Sequence, residues 1–211
     1  MELSRNGYAS ASLFAILAAV TVYGFVELSG RIAVHFSSAG SPDGYMAMVP
    51  GLLALPSLAV LTSIIFRYLP KIDPLGDNYE SFEELFELLK LFLLAIFTYL
   101  QAALVAWNSG FRFNPSLMVV PVVFSAYFLA GKIMERAERN WFVGIRTPWT
   151  LSSDEVWRET HDRTAPLMKL AAFVSLLAVF LPRYSTYFYV VPVAAIALFA
   201  SVYSYYLYRS R

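Results

Sequence analysis

The sequence predicts an all-α polytopic membrane protein, a six-transmembrane-helix bundle with two ordered cytoplasmic loops. Three observations carry that expectation. Hydrophobic residues make up 58% of the chain and charged residues only 15%, whereas a soluble domain has about 25% charged. Several long segments are apolar and charged only near their ends. The basic residues divide very unequally between the loops that those segments delimit. One integral membrane domain over residues 1–211 accounts for all three.

Crossing a hydrocarbon core of ~30 Å takes roughly 20 helical residues. Spans are expected at about residues 8–28, 45–67, 88–109, 113–133, 166–182 and 184–208. In the fifth, Lys169 stands near the start, where a lysine can snorkel to the interface. NSGFRFNP turns the chain between the third and fourth, and LPRYSTY between the fifth and sixth. Pro50, Pro56, Pro121 and Pro192 fall within spans, which a membrane tolerates when neighbouring helices or water supply donors to the freed carbonyls. Six spans put both termini on one side. That side holds Arg5, Arg67, Lys71, Lys90, Lys132, Arg136, Arg139, Arg146, Arg158, Arg163, Lys169, Arg209 and Arg211, thirteen of the 16 basic residues. Arg31, Arg112 and Arg183 fall on the other. The basic side is cytoplasmic. The expected location is therefore the cell membrane, multi-pass, with both termini and the loops 67–90 and 132–165 inside and 27–45 outside.

Composition also excludes. Without Cys there is no thiol chemistry and no Cys-based zinc site. Two His rule out a centre of three imidazoles within the chain. A net charge of +1 gives no global field for nucleic acid. No cofactor is expected.

The densest stretch is NWFVGIRTPWTLSSDEVWRETH, residues 140–161. Span four is expected to continue as a charged helix from Lys132 to Asn140. Thr147-Pro148 breaks any helix, and Ser152 with Glu155 has the spacing of a capping box that restarts one. Pro166 would then open span five. Trp141, Trp149 and Trp157 are expected at headgroup level, and His161 is expected to face Trp157 one turn away. Arg146, between Gly144 and the Thr147-Pro148 turn, is suited to a fixed carboxylate or phosphate partner. The acidic stretch before span three offers one. Glu80, Glu83, Glu84 and Glu87 put two to three carboxylates on one helical face, Ser81 and Glu84 again have capping-box spacing, and Asp73 lies just upstream. The two cytoplasmic loops are expected to dock through these carboxylates, with Arg146 as the pin.

In the outer loop, Glu27, Arg31 and His35 would share a face if span one continued as helix. Asp43 sits in SPDG, a turn signature that would bring it back toward His35. The expected role of this cluster is to tuck the loop onto the bundle. Zinc on His35, Glu27 and Asp43 is the weaker alternative, having a single imidazole.

Three stretches carry a resemblance. Residues 140–161 resemble the signature of the SdpI-like family, integral membrane proteins typified by immunity to a secreted peptide toxin. VHFSSAGSPDGY, residues 34–45, and LPKIDPLGDNY, residues 69–79, resemble the small membrane domain of unknown function at the N-terminus of such proteins. In place of the Gly-rich continuation often found after the Thr-His pair, this chain has Asp162-Arg163-Thr164-Ala165-Pro166. The resemblance implies an immunity or sensor protein in the lipid bilayer that binds a hydrophobic peptide or lipid-like ligand, and a cytoplasmic regulator as a further partner. It also makes Asn140, Gly144, Arg146, Thr147, Pro148, Trp149, Trp157 and His161 the candidate ligand or partner site. A membrane enzyme acting on a lipid or peptide and a small-molecule transporter are the alternatives. The spans lack deep charges, which counts against a proton or ion pathway, and no catalytic residues are expected.

Overall fold

The computed structural model describes residues 5–37 and 40–210. Ser38 and Ala39 of the outer loop, and Arg211 from the basic count, lie outside the described residues. The chain forms two compact units, Met1–Phe66 with Glu87–Met118, and Arg67–Phe86 with Val119–Arg211.

In the first unit, α1 (Arg5–Glu27) leads into a two-stranded antiparallel hairpin, β1 (Arg31–Phe36) and β2 (Pro42–Ala47). Helix α2 (Met48–Ile72) and helix α3 (Glu83–Asn108) begin or end in the second unit. The apolar faces of α1, α2 and α3 meet at Leu17, Ala59 and Leu94, and Leu28, just past α1, and Ile32 of β1 pack on Leu52 of α2 and Val105 of α3. Gly24 permits the close crossing there: a Cβ would lie 2.9 Å from a Leu52 methyl and 3.1 Å from one of Val105. Pro56 has no N–H for the Leu52 carbonyl one turn before it. Gln101 of α3 supplies the donor, its Nε2 lying 3.0 Å from Leu52 O and 3.1 Å from Thr21 Oγ1. A neighbouring helix thus satisfies the carbonyl that the proline frees, as a span without water requires. Pro50 falls in the first turn of α2, where its missing donor costs nothing.

The hairpin overturns the expected helical face of Glu27, Arg31 and His35. Helix α1 stops at Glu27, and Gly30 turns the chain at φ +69°. The β-branched Ile32 and Val34 then favour a strand. A contact distant in sequence secures it: the Asn108 side chain accepts from Ala33 N at 2.8 Å and donates to Ala33 O at 3.0 Å. The amide takes the place of a neighbouring strand. Phe36, Trp107 and Phe113 stack edge-on beside it.

In the second unit, a 3-10 segment (Gly76–Phe82) precedes α3, and α4 (Pro115–Met134), α5 (Pro148–Ser152), α6 (Asp154–Ser175) and α7 (Ser185–Arg209) follow. Helix α4 ends at Met134, short of the expected extension to Asn140. Gly131 lets α4 approach α6 closely; a Cβ would lie 2.8 Å from Ala165 O. Met168, Ala171 and Ile196 form the core between α6 and α7, with Tyr127 and Ala130 of α4 packed on it. The Tyr127 hydroxyl donates to Tyr189 O at 2.6 Å, three residues before Pro192.

The protein is a mostly α polytopic membrane protein. Among the described residues, five helical stretches are long and apolar enough to cross a membrane: α1, α2, Gly76–Asn108, α4 and Pro182–Arg209. The expected span 166–182 is different. It is the second half of α6, which runs unbroken through Pro166, followed by a 3-10 turn at Leu176–Val179. Lys169, at its start, pairs with Glu135.

Candidate functional site

The stretch from Arg139 to His161 is built around buried polar groups. Asn140 is fully buried, and its amide is saturated. Its Oδ1 accepts from the main chain at Phe142 (3.0 Å) and Val143 (2.6 Å), and its Nδ2 donates to Glu138 O (2.9 Å) and Val143 O (3.0 Å). One side chain thereby fixes the turn. Gly144 follows at φ +119°, and a Cβ there would lie 2.6 Å from His161 Nε2 and 3.0 Å from the Trp157 ring. Only glycine fits both the conformation and the approach.

Beneath it, Trp157 and His161 stack with centroids 4.1 Å apart. Both are buried, at 2% and 1% exposure. The Trp157 indole donates to Ala137 O at 2.7 Å. Trp157 is therefore a core residue that ties α6 to the end of α4, which corrects the expectation of a headgroup anchor. A buried indole must find an acceptor for its N–H, and this one does so inside the protein.

His161 has a defined tautomer. The main-chain N–H of Ile145 donates to Nε2 at 2.9 Å, so Nε2 is unprotonated. Nδ1 then carries the proton and donates to Trp157 O at 2.8 Å. Burial lowers its pKa to about 4, against opposing contributions from the Trp157 hydrogen bond and Asp162. Protonating Nε2 would set two N–H groups against each other.

Thr147 caps α5, with Pro148 in its first turn. Thr147 Oγ1 accepts from Thr150 N at 3.1 Å, while Thr150 Oγ1 accepts from Thr147 N at 2.9 Å. The capping box is thus Thr147 with Thr150, and not Ser152 with Glu155. Thr147 Oγ1 also meets Ser204 Oγ at 3.0 Å, fastening the segment to α7, and Trp149 packs on Tyr205. Ser153 caps α6 by accepting from Val156 N; Ser152 lies inside α5 and donates to Trp149 O. Ser81 likewise makes no box with Glu84, because the 3-10 segment runs directly into α3; its hydroxyl donates to Asn78 O.

The two long loops do dock, through Asp73. This buried carboxylate accepts from Leu75 N (2.8 Å), the Tyr79 hydroxyl (3.0 Å) and Trp141 N (2.9 Å). Asn78 adds a bond from Nδ2 to Arg139 O at 2.7 Å. The glutamates play no part in it. Glu80, Glu83 and Glu84 are exposed, and Glu87 pairs with Lys90 of its own helix. Arg146 is not the pin. It is exposed, donates from Nη1 to Trp141 O at 3.0 Å, and among the described residues forms no ion pair. Arg139, which sequence reasoning did not single out, holds Asp154 at 2.5 Å and Leu151 O at 2.7 Å.

In the hairpin, His35 Nδ1 and Asp43 Oδ1 are 2.5 Å apart and both side chains are solvent-accessible. Gly44 allows the approach, since a Cβ would lie 2.7 Å from that of His35. Arg31 donates to Tyr45 O instead of joining them. Among the described residues, no group of three His, Asp or Glu is gathered as a metal would require.

Apolar helices of membrane-spanning length, with a connecting segment locked by buried Asn, His, Trp and Asp, define an integral membrane protein with an ordered polar segment between its helices. The SdpI/YfhL protein family model matches residues 136–205, and that of a domain of unknown function, DUF1648, matches residues 12–60. Immunity protein SdpI from Bacillus subtilis (strain 168) is 25% identical over 118 residues, 56% of this chain. The match spans 57% of that relative's length. No solved structure matches. The later part of the chain is thus similar to the SdpI/YfhL family, and its earlier part to DUF1648.

Proposed function

We propose that the chain is an immunity-type protein of the cell membrane that binds a hydrophobic peptide on its outer side. In this reading the chain crosses the membrane six times, both termini are cytoplasmic, and the second half of α6 with its 3-10 turn supplies the fifth crossing. The similarity to a curated immunity protein over more than half of the chain carries the reading. The peptide would meet the hairpin, where Tyr45 and Met46 are exposed beside the His35–Asp43 pair. The candidate residues of the locked stretch then divide by role. Asn140, Gly144, Thr147, Pro148, Trp157 and His161 shape the segment, and the exposed side chains present it. A cytoplasmic regulator, the other partner implied, would meet the exposed charges of the two long loops, Glu80, Glu83 and Glu84 among them.

The test is protection. A toxin-sensitive host expressing the chain is challenged with membrane-active peptides, and survival is expected to exceed that of the empty host. Tyr45→Ala with Met46→Ala is expected to lower protection at unchanged protein level. Equal survival with and without the chain, across the peptides tried, would refute the reading.

A further inference from the structure

We propose that Arg146, with the rings of Trp141 and Phe142, is a docking site for the phosphate of an anionic lipid headgroup. The proposal is independent of toxin protection.

Three features of the second unit lead to it. The first is an oriented cation that forms no ion pair among the described residues. One Nη1 bond to Trp141 O orients the Arg146 side chain. A guanidinium has five N–H donors in a planar fork, so most remain for an external acceptor. Asp73, which holds the same Trp141 residue by its N–H, already serves three donors. Asp154 is taken by Arg139.

The second feature is a pair of large rings displayed by a rigid main chain. Trp141 is 50% exposed and Phe142 38%, yet the N–H groups of both are tied down, to Asp73 and to Asn140. Fixed main chain with exposed aromatic side chains suits an interface where one end is apolar and the other wet. The third feature is level. Asp73 follows directly on the end of α2, whose last turns carry Arg67 and Lys71. Asn140 lies six residues past the end of α4, whose last turn carries Lys132. Basic residues at the ends of apolar helices mark the headgroup layer, and the Asp73–Trp141 bond holds the segment beside it. A planar fork on the segment that displays these two exposed rings matches the phosphodiester of an anionic lipid better than that of a zwitterionic one, whose phosphate charge is neutralised by its own ammonium.

The full chain is reconstituted in nanodiscs of phosphatidylcholine alone and of phosphatidylcholine mixed with phosphatidylglycerol. The unfolding midpoint is read by tryptophan fluorescence, and retained phosphatidylglycerol by native mass spectrometry. The mixed lipid is expected to raise the midpoint by about 2–4 °C and to leave lipid bound. Arg146→Gln is expected to lose both effects, Arg146→Lys to keep part of each because it lacks the fork, and Arg183→Gln, in the 3-10 turn that precedes α7, to keep both. Where Arg146→Gln also lowers the midpoint in pure phosphatidylcholine, the mass-spectrometric ratio of retained lipid in Arg146→Lys decides, with a ratio equal to that of the unaltered chain counting against the site. The proposal is overturned if Arg146→Gln retains the shift, or if the two lipids give equal midpoints, which would leave the surface to a protein partner. It is also overturned if inorganic phosphate in solution reproduces the shift in neutral lipid.

Discussion

Acidification should destabilise the locked segment through His161, and the size of the effect follows from its surroundings. The folded-state pKa is about 4, lowered chiefly by burial, while a free imidazole titrates near ~6.5. The unfolded chain therefore binds the proton more readily. The stability held in neutral His161 is complete above pH ~6.5 and is lost as the pH falls toward about 4. A gap of roughly 2.5 units at ~1.4 kcal/mol per unit amounts to about 3.5 kcal/mol. Within that window each pH unit should lower the unfolding midpoint by about 3–5 °C for a chain of this size. The assay is thermal unfolding in neutral-lipid nanodiscs at pH 7, 6 and 5, with His161→Gln beside the unaltered chain. Carboxylates titrate in both proteins, so the difference between the two curves isolates His161. His161→Gln is expected to start lower at pH 7, having lost the ring that stacks on Trp157, and to vary less with pH. Parallel curves, or a midpoint that rises on acidification, would refute the assigned tautomer and the buried neutral state.

Gly144→Ala is expected to cost about 1–3 kcal/mol, since it combines a positive φ with a Cβ driven into His161; Gly110→Ala, positive in φ but with open space, should cost less, and chemical unfolding compares them. Asp73→Ala strands two main-chain donors and a tyrosine hydroxyl, a loss of about 3 kcal/mol, and should speed protease cleavage between Asn140 and Thr147 in inside-out vesicles. Arg146→Ala in neutral lipid should leave stability within about 0.5 kcal/mol, as befits an exposed side chain with one main-chain bond. Cysteines placed at Ser41 and Ser152 of this Cys-free chain should label from opposite sides of the membrane; labelling of both from outside would refute the orientation.

The membrane class was legible in the sequence because hydropathy adds along the chain and needs no partner to be read. The same holds for residues whose local geometry is special: Gly144 and the Thr147-Pro148 step were marked by their own backbone constraints, and each stands at a turn or a cap. Asp43 was expected near His35 through an SPDG turn, but Pro42, Asp43 and Gly44 lie in β2, and strand pairing with β1 brings the carboxylate to the imidazole. Apart from the two misplaced capping boxes, what failed depended on groups far apart in sequence. Helix or strand after Glu27 was settled by Asn108, which lies 75 residues from Ala33. Asp73 became the docking carboxylate because it is buried where Trp141, 68 residues on, points an N–H. The more numerous glutamates at 80–87 stayed in solvent or paired locally, because an exposed carboxylate gains little from a distant cation that water already screens. Trp157 reads like any interfacial tryptophan until the tertiary structure sets it between His161 and the Ala137 carbonyl. Composition fixes how much of the chain must leave water; which polar group meets which is decided only when the folded chain brings them within hydrogen-bonding distance, where a buried donor without an acceptor is too costly to persist.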